Sequence, residues 1–197
     1  MMIIRREIIP MLLLSVLGIL GFTISFLARE NYEFLLYIGV IVFFFFVLLL
    51  TDAIVRFSKT ALWGTVLWAF LHMSGGGVPV GEGRLYDVIL LPLSKTYEIF
   101  KYDQFVHFIG FGVATLLMYE LLKPVLRPDH RNWVRLAIIV IMAGLGVGAL
   151  NEVIEFFATV ITPETGVGGY VNTSLDLVFD LFGAVAMMVV ILWRDRK

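Results

Sequence analysis

Apolar residues in this chain run on in long, nearly unbroken stretches, separated by short polar or charged segments. A helix that crosses about 30 Å of hydrocarbon needs about 20 such residues. Six stretches approach that length, over residues 8–27, 34–50, 60–73, 105–122, 133–161 and 175–193. The third is short, and Arg56 and Lys59 must snorkel from its end to extend the usable span to about 18 residues. Arg5 and Arg6 ahead of the first stretch imitate a signal peptide, but no small-residue cleavage site follows before Arg29 and Glu30, so a permanent helix is expected. The pattern predicts an all-α polytopic membrane protein. It is a six-transmembrane-helix bundle, one transmembrane domain over residues 1–197, with a long extracytoplasmic loop between helices 3 and 4.

Composition agrees. The chain is 60% hydrophobic and 16% charged, with mean hydropathy +0.94, more apolar surface than a water-soluble domain of this size can hide. Charge then sets the orientation. With the N-terminus inside, Arg5, Arg6, Arg56, Lys59, Lys123, Arg127, Arg131, Arg135, Arg194, Arg196 and Lys197 face the cytoplasm, and only Arg29, Arg84, Lys95 and Lys101 of the 15 basic residues face out. Short cytoplasmic loops hold the excess of Lys and Arg, so both termini are expected in the cytoplasm. The segment from Ser74 to Tyr102 is long for a connection, opens with Gly75, Gly76 and Gly77, and reads as an interfacial or re-entrant cap. A net charge of −1, with basic residues scattered at helix ends, excludes nucleic acid as a partner. Membrane lipids are the expected partners, and oligomeric state is not readable.

Ionisable residues inside spans are costly and therefore point to function. His72 ends the third span, Asp103 and His107 begin the fourth, Glu152 and Glu155 lie late in the fifth, and Asp176 and Asp180 begin the sixth. Under the alternating topology all seven share one depth, in the extracytoplasmic half. The spacings i,i+4 and i,i+3 put each pair on one helix face, so three pairs and His72 can converge on one cavity. Asp180 would lie about 6–10 Å beneath the interface, deep enough to require a partner. Asn151 and Asn172 are available to orient the carboxylates. With no cysteine, any metal must sit on His, Asp or Glu, and this oxygen-rich set suits a divalent metal such as Mg or Mn and tolerates Zn. The set also suits Fe, but the Glu-x-x-His pair of di-iron bundles is missing. Without metal, crowded carboxylates would place a proton donor beside a base.

Blander readings exist for several of these groups. Asp103 and Asp176 sit where they favour helix N-termini, and His72 is near enough to the interface to need no role. Glu152 and Glu155 resist such an account, because two carboxylates one turn apart repel without something to neutralise them. Gly144, Gly146 and Gly148 lie mid-span with no preceding strand, which marks helix packing rather than a nucleotide loop. Phe43 to Phe46 read as lipid-facing or packing surface. Asp52 and Glu120, near the cytoplasmic ends of their helices, are expected to reach water, and His130 belongs to a basic cytoplasmic loop.

The segments Tyr102-Asp-Gln-Phe-Val-His-Phe, Asn151-Glu-Val-Ile-Glu-Phe and Asp176-Leu-Val-Phe-Asp-Leu-Phe-Gly-Ala resemble the VanZ-like membrane proteins, and more closely the YjdF-type group of bacterial inner-membrane proteins. The resemblance runs from His72 onward. It implies a compact helical membrane fold in the cell inner membrane, and it supports Asp103, His107, Glu152, Glu155 and Asp176 as site positions. Asp180 stands where that group carries Asn, and the Trp-Asp stretch before the final Asp is absent. VanZ relatives are associated with glycopeptide resistance at the cell envelope, but no established reaction comes with the resemblance.

Two main function classes stay open, with a third beside them. One is an intramembrane enzyme, a hydrolase or transferase acting on a lipid or lipid-linked head group. In it Glu152, Glu155 and Asp176 bind metal or act as bases, His107 is a ligand or proton shuttle, and Asp103 orients it. The other is a proton- or cation-coupled transporter or ion-binding protein, which needs a polar path to the cytoplasmic side that the inner halves of these helices lack. A non-catalytic lipid or partner sensor using the Ser74 to Tyr102 segment is a third possibility.

Overall fold

The computed structural model of the chain describes residues 5–127, 132–162 and 165–196. His130, Arg131 and Lys197, assigned to the cytoplasmic side above, lie outside the described residues. Six long helices carry the chain: α1 (Ile9–Ala28), α2 (Tyr32–Val55), α3 (Lys59–Gly77), α4 (Tyr102–Leu122), α5 (Trp133–Ile161) and α6 (Tyr170–Asp195). Each apolar stretch forms a helix, most of them lengthened by polar caps. Asn31, Ser58 and Asn132 accept the backbone N–H groups of Phe34, Ala61 and Arg135 and so start α2, α3 and α5. Five of the six are long and apolar enough to cross a bilayer; α3 is the exception.

The triple glycine does not open a loop. Helix α3 continues through Gly77, because Gly75 and Gly76 leave room for the rings of Tyr86 and Phe34 against the helix backbone. The following connection, residues 78–101, forms no long helix. It holds a two-residue antiparallel hairpin, β1 (Pro79–Val80) with β2 (Gly83–Arg84), then a 3-10 turn over Leu85–Asp87. Phe100 stacks on Phe179 of α6 at 5.5 Å between ring centres.

Helix α4 is the most enclosed of the apolar helices, and it packs most extensively on α6. A Cβ on Gly183 would stand 3.0 Å from the Gly112 nitrogen and closer still to the Phe108 carbonyl oxygen, so the two backbones meet where no larger residue fits. Helix α5 closes on this pair through Gly144, which faces Thr115, and Gly148, which faces Asp180. Gly146, between them, faces open space. Outer faces carry exposed Leu17, Ile24, Phe43, Phe46, Ile138 and Val189. Phe43 and Phe46 are thus surface, whereas Phe45 of the same run packs inward.

At the end of the bundle that holds Arg5, Asp52 and Glu120 do not reach water. Asp52 is buried, accepting from Arg5 Nε at 3.0 Å and from the Phe57 N–H at 2.9 Å. Glu120 is also buried and accepts the Ser58 N–H at 2.8 Å. Each carboxylate satisfies backbone donors left free at a helix junction, which is why burial is tolerated.

Candidate metal centre

The Gly112–Gly183 crossing explains the site one turn above it. Residue 107 precedes Gly112 by five positions on α4, and residue 180 precedes Gly183 by three on α6, so both side chains enter the same narrow gap. His107 Nδ1 and Asp180 Oδ1 are 2.9 Å apart, both buried. Asp180 fits only because Gly148 of α5 has no side chain there. One and two turns further along α5, Glu152 and Glu155 follow on the same face, and Glu152 Oε1 lies 4.0 Å from His107 Nδ1.

On the other side of the imidazole, Asp103 Oδ1 is 3.9 Å from Nε2, too long for a hydrogen bond. The group that orients His107 in this geometry is Asp180, not Asp103. Asp176, fully buried one turn before Asp180, accepts from Gln104 Nε2 at 3.1 Å and from Asn172 Nδ2. Asn172 also donates to Asp103 at 3.1 Å, and Asn151 donates to Glu155 at 2.7 Å. Both asparagines therefore orient carboxylates, the role for which the sequence made them available.

Two triads have donor atoms close enough to share an ion. Asp103, His107 and Asp176 each offer an atom within 4.8 Å of the others, and so do His107, Glu152 and Glu155. His107 belongs to both. Five of the seven residues singled out by the sequence come together in these triads, and Asp180 joins them as a sixth through its bond to the imidazole. Two carboxylate atoms remain buried without a hydrogen-bond partner among the described residues, Glu152 Oε1 and Asp180 Oδ2. Unsatisfied buried acceptors of this kind are costly and call for a proton or a cation.

His72 stands apart from the triads. It stacks on Trp68 at 5.5 Å, meets Tyr37 edge-on at 5.4 Å, and pairs through Nδ1 with the Tyr86 hydroxyl at 2.6 Å. Burial, reinforced by Asp103 and Glu155, pushes the Tyr86 phenol well above its ordinary value, so the hydroxyl keeps its proton. This aromatic wall borders a small cavity of about 70 Å³ that opens beside Asp103, Glu155 and Asn172. Glu33, at the start of α2, accepts from Arg84 Nη1 at 3.0 Å and from the Gly166 N–H at 2.9 Å near the same cavity.

Gln104 escaped the reading of the sequence although it is wholly buried in the centre. Its Oε1 accepts the Lys101 N–H at 2.6 Å, closing the first turn of α4, while its amide serves Asp176. An amide three residues before His107, on the same helix face, was the available signal. Tyr37, Glu33 and Arg84 were missed for another reason: they reach this end of the bundle from α2 and the hairpin, and nothing local marks them.

A family model described as "Predicted membrane protein (DUF2238)" matches residues 9–197. The chain belongs to this family. That match and the five apolar helices establish a multi-pass membrane protein with a buried cluster of His, Asp and Glu. A Thermotoga maritima protein described as uncharacterized is 32% identical over 125 residues, covering 57% of this chain. The chain spans 63% of the length of that relative. No solved structure matches the chain.

Proposed function

We propose that this chain is a six-span membrane enzyme that holds a divalent metal between α4, α5 and α6 and acts on a lipid or lipid-linked head group at the extracytoplasmic face. The observation that carries the reading is the imbalance around His107: five carboxylates, Asp103, Glu152, Glu155, Asp176 and Asp180, surround one imidazole. None of the five has a Lys or Arg ion-pair partner among the described residues. At an effective dielectric of about 20, two like charges about 5 Å apart repel by about 3 kcal/mol. Several such pairs are sustained only when a cation or protons fill the gap.

Asp180 on Nδ1 fixes the imidazole and leaves Nε2 on the side of Asp103, the arrangement in which a carboxylate orients a metal-binding histidine. Asp103, His107 and Asp176 then hold Mg, Mn or Zn, which supplies Lewis-acid activation of water or of a phosphoryl oxygen. Glu155 borders the cavity and Glu152 lies beside Nδ1, and the two serve as bases or further ligands. The site belongs to one family-wide membrane domain in this reading, with His72 outside the ligand set. Likeness of the three motif segments to VanZ-like and YjdF-type proteins supports a role at the inner membrane, facing the envelope.

Topology supports six crossings although α3 is less apolar than its neighbours. Ser58 at its start contacts Glu120 at one end of the bundle, and Gly77 at its finish accepts from Arg29 at the other. The basic residue count favours both termini in the cytoplasm.

A transporter is the alternative. Its polar path would have to continue past the level of Phe111, Leu116, Val140 and Met188, which fill the interior between His107 and the Tyr119–Asp195 pair at the far end. The deciding measurement is metal analysis of detergent-purified wild type beside Glu152→Gln and His107→Ala. Near-stoichiometric divalent metal in wild type, little in His107→Ala and a partial loss in Glu152→Gln are expected. Equal retention in all three rejects the ligand assignment, and metal-dependent cation flux in proteoliposomes would favour transport.

A further inference from the structure

We infer that the cavity beside the acidic centre takes the ammonium of an amine-bearing lipid head group. This deepens the reading above by naming a substrate class, and it rests on that reading only for what happens after binding.

The wall of the cavity decides the sign of its ligand. Glu33, Arg84, Asp103, Lys101 and Glu155 all border it. The two cations are already engaged: Arg84 binds Glu33 at 3.0 Å and lies over the Phe34 ring, 5.7 Å from its centre, and Lys101 pairs with Glu98 at 3.3 Å. Asp103 and Glu155 have amide donors but no Lys or Arg partner among the described residues, and with Glu33 and Asp87 they give the wall four acidic side chains against two basic ones. A phosphate placed here would meet these carboxylates and a guanidinium that is spoken for.

A second observation is independent of the acidic cluster. Tyr37 of α2 also lines the cavity, is only 6% exposed, and its hydroxyl has no hydrogen-bond partner among the described residues. The neighbouring phenol of Tyr86, by contrast, is committed to His72. An ammonium group presents three N–H donors, and the acceptors it needs stand ready in the Tyr37 oxygen and the carboxylates of Asp103 and Glu155. The rings of Phe34, Tyr37 and Tyr86 supply the aromatic faces that favour an organic cation over a hydrated inorganic one.

The lipid origin of the amine follows from the connection that leads into α4. Leu91 (54% exposed), Leu93 (64%) and Tyr97 (53%) project from it at the same end of the bundle as the cavity. Exposed apolar side chains of this size belong in the interfacial region of a bilayer. The mouth therefore opens at the level of lipid head groups.

Native mass spectrometry of the intact protein, as purified and after chelation, tests the proposal with three probes: phosphatidylethanolamine, its N-acetyl derivative and free ethanolamine. At least tenfold preference for phosphatidylethanolamine over the uncharged N-acetyl form is expected, falling several-fold in Tyr37→Phe and lost in Glu155→Gln. Melting curves establish that both variants are folded. Equal binding of the two lipids overturns the inference, as does undiminished preference in both folded variants. Tight binding of free ethanolamine without lipid preference assigns the site to a soluble amine and overturns it too. Lost amine preference with metal retained sinks this inference alone, whereas amine preference without any bound metal sinks only the metal-centre reading.

Discussion

Replacing Gly148 by alanine tests whether the close approach of α5 to Asp180 builds the centre. A Cβ added there would stand 2.7 Å from Asp180 Cγ and 3.1 Å from its Cβ, with Oδ2 nearer still. Atoms of real side chains do not approach so closely, so either Asp180 or the helix backbone must move. Asp180 cannot swing out, because it is fully buried and held by His107 at 2.9 Å. Overpacking of a filled core costs about 1–3 kcal/mol, and breaking the charge-assisted bond to His107 adds about 1.5–3 kcal/mol. A net loss on the order of 2–4 kcal/mol is expected, since relaxation along one route spares part of the other. Gly146→Ala is the control. It lies two residues away on the same helix, with nothing within 4 Å of the added methyl group. There alanine should be neutral or stabilising by up to about 1 kcal/mol through helix propensity. The assay is reversible unfolding in mixed micelles of increasing SDS content, followed by tryptophan fluorescence. Should the two variants unfold within about 0.5 kcal/mol of one another, the ordinary scatter of surface substitutions, the packing argument is wrong.

Three further outcomes are expected. Because the chain has no cysteine, Lys95→Cys should react with a membrane-impermeant maleimide on intact cells and Arg127→Cys only after permeabilisation; the reverse pattern would invert the proposed orientation. Asp52→Asn keeps the shape of the side chain but loses the charge that binds Arg5 and weakens the acceptor for Phe57 N–H. A cost of about 1–3 kcal/mol in the same unfolding assay is expected, and a wild-type curve would show that the junction contributes nothing. Gln104→Glu turns a donor toward Asp176 into a further acceptor at nearly constant volume. It should cost at least about 1–3 kcal/mol at neutral pH and recover in acid, where a proton restores the donor; a pH-independent effect would disprove the electrostatic cause.

Much of the architecture was legible because the bilayer imposes a length on every span. All six apolar stretches became helices, and the 133–161 stretch coincides with α5. Where the two differ, local capping or packing is responsible. Glycines 75 to 77 looked like a break because glycine lowers helix propensity, yet the rings of Phe34 and Tyr86, distant in sequence, need those bare positions on α3. Asp52 and Glu120 looked solvated because they lie near helix ends. Their burial depends on donors from Arg5, Phe57 and Ser58 that only the assembled bundle brings within reach.

The sequence by itself determined that the chain is helical and apolar, and that its ionisable residues cluster by pairs at one depth, because helical periodicity and the cost of charge in hydrocarbon both act along the chain. Tertiary structure alone decided which of those residues meet. Glycine contacts at 112, 148 and 183 set how near α4, α5 and α6 come. That nearness gives Asp180 to the imidazole, seats Gln104 beneath Asp176, and leaves His72 among aromatic rings. Interhelical distance depends on side chains far apart in sequence, so no local pattern encodes it.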